Sequence, residues 1–193
     1  QPGTEDISVI VKNFGTFPES NLVCNAQIWG YISDPDNGTK LYEDNEIDID
    51  FDTPLGGEVI LNFDGFTFAD EGRYGLFLTM PYDNDNMPRN NEGRYGIGVD
   101  DTKPISVYDL DPSDPDGENG WYANDLEVTL QGYDPLSNDV SSGVDFINFR
   151  VNHGTTQTIT GSSGSFLITQ ADDKDDVKVE YWAVDNVGNV EDS

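Results

Sequence analysis

The sequence predicts an all-β chain folded as two antiparallel β-sandwiches in tandem. Three observations predict it. Apolar and polar residues alternate in short runs with a period of two. Clusters of Gly, Asn, Asp and Pro separate those runs at regular intervals. No window holds an apolar 3.6-residue period long enough for a helix, and 193 residues leave room for two domains of about 100 residues each.

Taken in order, Ile7, Val9 and Val11 alternate as a strand almost from the first residue. Leu22, Cys24, Ala26 and Ile28 then point to one side of a second strand, while Val23, Asn25, Gln27 and Trp29 point to the other. Strands follow at 58–63, 74–80 and 95–99, then at 126–130, 146–151, 165–168 and 177–184. Turn clusters divide them: Pro35-Asp36-Asn37-Gly38, Leu55-Gly56-Gly57, Asn119-Gly120 and Asn152-His153-Gly154. The boundary is placed in Asp100-Asp101-Thr102-Lys103-Pro104, where Pro104 biases the chain toward an extended path. The domains are therefore 1–103 and 104–193. The connector is short and poor in Gly and Ser, which predicts a semi-rigid elbow.

Acidic residues outnumber basic ones 38 to 9, for a formal net charge of −29. Phosphate neutralisation needs clustered Lys and Arg, so nucleic acid is excluded as a partner, and anionic membrane surfaces with it. The hydrophobic fraction of 35% is low, yet 11% of residues are aromatic, which argues for folded domains under a carboxylated surface rather than disorder. No run approaches the roughly 20 apolar residues that span a bilayer, which predicts no membrane insertion. The abrupt ends, and Gln1 in place of a signal peptide, lead us to expect a segment of a larger protein.

Two sets of motifs carry a family resemblance. Ile7 to Thr16 (ISVIVKNFGT), the strand from Asn21 to Trp29, Gly72-Arg73-Tyr74, and the loop Asp83 to Asn91 occur in the order of the CARDB-type adhesion module, an Ig-like domain of bacterial and archaeal exoproteins. The first half resembles that module but lacks the strand that usually precedes Ile7. In the second half Asn119-Gly120-Trp121-Tyr122, Ser142-Gly143-Val144, Phe149 to Asn152 and Tyr181 to Glu191 are similar to an Ig-like surface repeat of the NGWY and GNVE type. The resemblance implies Ig-like sandwiches that serve as spacers and adhesion modules, and neither family carries a catalytic set.

The residues themselves agree on chemistry. His153 is the only histidine, set in a turn, so a zinc hydrolase lacks its His ligands and a serine hydrolase lacks its base. With 38 acids, a paired-carboxylate criterion selects nothing. The chain is therefore expected not to be an enzyme, with no required cofactor. Cys24 stands alone and is expected to be a small buried hydrophobe. Calcium takes six to eight oxygen ligands from loops, and four clusters offer them: Asp83 to Asn86, Asp109 to Glu118, Asp172 to Asp176, and Asp185 with Asn186 and Asn189. The chosen metal candidates are Asp185, Asn186 and Asn189, with Asp134 as partner if their turns meet. Asn37-Gly38-Thr39 matches a glycosylation acceptor at Asn37, against the competing reading of an Asn-Gly hairpin turn. Trp29 and Tyr31, opposite the core-facing residues, are candidates for stacking on sugar rings. Trp121 and Trp182 are expected to help fill the second core, with Tyr181 and Ala183 competing with Trp182 for the inward side.

The leading expectation is a non-catalytic structural or adhesion spacer from a secreted or cell-surface protein, partnered by other domains or copies of that protein. The alternatives are a polysaccharide-binding accessory region of an exoenzyme and a subunit of an extracellular filament or sheath that assembles by strand addition.

Overall fold

The computed structural model describes residues 3–30, 38–52, 56–82, 91–169 and 177–192. They form an all-β structure of antiparallel sheets, with the only helical segment a 3-10 turn at Glu118–Gly120. The chain divides into two compact units, Pro2–Val99 with Asn138–Val140, and Asp100–Ser137 with Ser141–Ser193. Residues 100–103 thus belong with the second unit. Among the described residues no helix is long and apolar enough to cross a membrane.

In the first unit, β1 (Gly3–Lys12) pairs with β4 (Glu58–Phe68). A four-stranded sheet runs β3 (Thr39–Phe51), β2 (Glu19–Gly30), β5 (Gly72–Thr79) and β6 (Glu92–Val99). The alternation read from β2 decides its facing: Leu22, Cys24, Ala26 and Ile28 are all buried. They meet Ile7, Leu61, Phe63 and Phe68 from the β1–β4 pair in a single core. Phe66, Phe68 and Tyr74 add an edge-to-face aromatic chain, with centroids 4.9 Å apart at each step. On the outer face of β1–β4, cross-strand partners match in kind: Ser8 with Asn62, Ile10 with Ile60, and Lys12 with Glu58.

The second unit has two three-stranded sheets. One is β10 (Gln157–Thr160), β9 (Val144–Val151) and β12 (Val179–Asp185). The other is β11 (Ser163–Ile168), β8 (Leu126–Tyr133) and β7 (Ile105–Asp111). Their inner faces join Val128 and Leu130 to Ile147, Phe149 and Ala183, and Phe149 stacks on Phe166 at 4.0 Å.

Neither tryptophan expected in this core is there. Trp121 follows the 3-10 turn and is 49% exposed. On β12 the register sets Ala183 against Ile147 and Tyr181 against Phe149. Those two take the inward positions and turn Trp182 outward, where Arg150 lies 6.0 Å from its ring.

Candidate metal centre

Three strand ends converge within the second unit. Register places Ile105 opposite Tyr133 and Asp185 opposite Val144, so Asp134, just after β8, and Asp185, at the end of β12, come to one end of the sandwich. Asp100 joins them from the segment before β7. One carboxylate oxygen from each of Asp100, Asp134 and Asp185 lies within 4.8 Å of the others, the only such acidic, His or Cys group among the described residues. Asp100 and Asp185 are each only 1% exposed, and Asp134 is half-buried.

Backbone amides fix each carboxylate. Asp100 accepts from the Thr102 amide at 3.1 Å and the Ser142 amide at 2.7 Å. Asp134 Oδ2 accepts from the Gly143 amide at 2.7 Å and Ser141 Oγ at 2.9 Å. Asp185 Oδ1 accepts from the amides of Val187 and Asn189 at 3.0 and 2.8 Å, and its Oδ2 from Asn189 Nδ2 at 2.7 Å. Gly143 and Gly188 sit at φ +79° and +91°, a region L side chains rarely adopt, and shape the two turns that aim these amides.

None of the ion pairs among the described residues involves any of the three aspartates. At an effective dielectric of 20, each pair of like charges at such a distance costs about 3–4 kcal/mol. Two polar atoms here are cut off from solvent and from protein partners: Asp134 Oδ1 and Ser142 Oγ. A buried oxygen with no donor carries an uncompensated desolvation cost. A hard cation would satisfy it and neutralise the cluster at the same time. The donor set is all oxygen, which suits Ca²⁺ or Mg²⁺ rather than a thiolate- or imidazole-loving metal. The residues present therefore fit a divalent ion.

The structure brings together two of the sequence candidates, Asp134 and Asp185. The other two are placed beside them, with their side-chain NH₂ groups turned to the protein. Asn186 Nδ2 donates to the carbonyls of Ser142 and Gly143 at 2.8 and 3.0 Å, and Asn189 Nδ2 reaches Asp185 and the carbonyls of Asp100 and Thr102. They position the turn. Sequence reasoning missed Asp100, which read as linker. The signal available was that all three aspartates sit where a strand ends.

The remaining candidates separate. In the 109–118 cluster, Asp116 is a turn residue: the Ala123 amide, then Asn124, hold its carboxyl below the ordinary range. The clusters at 83–86 and 172–176, the acceptor Asn37 and the aromatic Tyr31 lie outside the described residues. Trp29 is half-buried on the outer face of the four-stranded sheet, edge-on to Phe77 at 6.4 Å, with its indole N–H donated to Gln27 at 3.0 Å. His153 has φ 57°, as a turn residue would, and its Nδ1 lies 2.9 Å from Glu180. Cys24 is 1% exposed, and burial, with the charge of Glu46, pushes its thiol up to about 11. No family model matches the chain, and no curated protein matches it.

Proposed function

We propose that this chain is a non-catalytic structural element of a secreted or cell-surface protein, whose second unit is held by calcium at Asp100, Asp134 and Asp185. The observation that carries this reading is the triad itself: three converging carboxylates, two of them 1% exposed, beside the orphaned Asp134 Oδ1. Calcium suits an exoprotein, because extracellular modules work with dissociation constants of about 10⁻⁴–10⁻³ M. The order of the CARDB-type and NGWY/GNVE-type motifs supports a spacer or adhesion role. The test is thermal melting in dilute buffer, titrated with CaCl₂ and separately with NaCl at matched ionic strength. A bound ion gives saturable stabilisation following RT ln(1 + [L]/Kd). Identical curves would leave only Debye screening of the acidic surface and would reject the site.

One feature supports the alternative of assembly by strand addition. Among the described residues β1 pairs with β4 alone, and a groove of about 260 Å³ is lined by Val9, Val11, Cys24, Leu78, Met80 and Tyr95. A donated strand would find an open edge and apolar side-chain sites there. Sedimentation of the chain against a Val11→Lys variant tests this, and a monomer at all concentrations in both would reject it.

A further inference from the structure

The turn that carries Asp185 also closes a seam in the second unit. β7 and β12 are each an edge strand of their sheet, and among the described residues each is laddered to one named strand only. Past Asp185 the chain reverses, and Val190 bridges back to Val184. The Glu191 amide donates to the Ala183 carbonyl at 3.0 Å. There the Glu191 side chain takes over from the backbone. Its Oε2 accepts from the Ala183 amide at 2.8 Å, its Oε1 from the Ser106 amide at 2.8 Å, and Ser106 Oγ donates to it as well. One carboxylate thus caps an unpaired amide on each of two sheets. Below it the seam is spanned by the edge-to-face pair Tyr108 and Tyr181, 6.1 Å apart.

The turn that leads into Glu191 is tied to the carboxylate cluster. The turn at 185–189 is anchored through Asp185 to its own amides, through Asn186 to Ser142 and Gly143, and through Asn189 to Asp100 and Thr102. These anchors lead back to the triad: Ser142 and Gly143 donate their amides to Asp100 and Asp134, and Asn189 donates to Asp185 and to the Asp100 carbonyl. We propose that calcium at the triad governs this clasp: with the ion bound, Glu191 seals the β7–β12 seam, and with the ion removed, carboxylate repulsion frees the turn and uncovers both edges. The inference rests on the calcium reading of the triad and goes beyond it, to what the ion controls.

The experiment is amide hydrogen exchange on the full chain, in saturating CaCl₂ and in NaCl of matched ionic strength, with calcium binding measured in parallel by calorimetry. Calcium should raise protection at Ser106, Ala183 and Glu191 by about tenfold or more, the worth of a typical hydrogen bond. Leu130, deep in the same core, should be protected in both conditions, which controls for global unfolding. A Glu191→Gln variant should still bind calcium yet lose the calcium-dependent protection at Ser106. If calcium binds and protection at the three amides does not change, the clasp is overturned while the metal site stands. If calorimetry shows no binding, the metal reading falls and the clasp's control falls with it. Equal protection in NaCl also overturns the proposal.

Discussion

The two units hold themselves together differently. Among the described residues, thirteen apolar residues are buried in the core of the first and five in that of the second. Of the four buried polar residues among those described, Asn13 belongs to the first and Asp100, Asp185 and Asn189 to the second. Both are antiparallel β structures, so architecture alone does not set the balance of forces. A small apolar core gives modest stability, and a unit so built gains more from a metal or a polar network than a large-cored one does. The first unit should therefore answer to changes in its core, and the second to the ions around it.

The largest effect expected is at the first core. Phe68→Ala, which removes a ring packed between Phe66 and Tyr74, should destabilise that unit by about 3–5 kcal/mol. Cys24 is the built-in reporter, since the sole thiol lies in this core. Its labelling by a thiol reagent should accelerate in Phe68→Ala whatever the calcium level. A calcium-dependent labelling rate would break the division between the units. The raised thiol value adds a sign: it stabilises the fold below the ordinary cysteine value, and that contribution is lost as pH rises through about 11.

Next comes the ion. Asp185→Asn keeps the side chain's size but removes a charge from the triad. It should abolish a calcium stabilisation of about 2.7 kcal/mol at one hundred times Kd. Calorimetric scanning should show that loss in the second unit's transition, with the first unit's unmoved. Retained calcium stabilisation in Asp185→Asn would remove this aspartate from the ligand set.

Smaller again are the outer-face tryptophans. Truncating a buried Trp costs about 3–5 kcal/mol, whereas losing an exposed cation–π contact costs about 0.5–1 kcal/mol. Trp182→Ala, which loses its contact with Arg150, should fall near the lower figure in denaturant unfolding. A core-sized loss would show that the outward face is covered in solution.

The smallest effect is an acid-side one. The Arg150 guanidinium, helped by Lys178, holds the Glu180 carboxyl at about 2, well below its usual value. A depressed carboxyl adds stability above its unfolded value, near 4.3, and loses it as pH falls through about 2. Because the pair is open to solvent, the effect is slight. Glu180→Gln should flatten the stability profile of the second unit in that window and leave neutral pH almost unchanged.

Particular strands show what the residue order could and could not reveal. β2 was fully legible, because one of its faces is buried and the period of two is clean. β3 was not. It is an edge strand carrying Glu43, Asp44, Glu46, Asp48 and Asp50, and such charges guard an edge while erasing its apolar signature. The facing of Trp182 turned on register with β9, which lies nearly thirty residues upstream and leaves no local mark. The candidate site divides in the same way. Asp134 and Asp185 stood in turn motifs next to recognisable strands. Asp100 needed the pairing of β7 with β8 and of β9 with β12 before its proximity could be seen.

The scarcity of cations has one more consequence. A trypsin-like protease cuts after Lys or Arg and needs several residues of chain in extended, unpaired form. Of the seven basic residues the structure describes, Lys12, Lys40, Arg73, Arg94 and Arg150 are built into strands. Lys103 is followed by Pro104, a bond such enzymes do not cleave, so the segment before β7 is closed to them. Lys178 is then the one described basic residue outside a strand that offers an ordinary cleavage bond. In a setting rich in basic-specific proteases, the described part of this chain offers few bonds to cut, through its composition as well as through its strands.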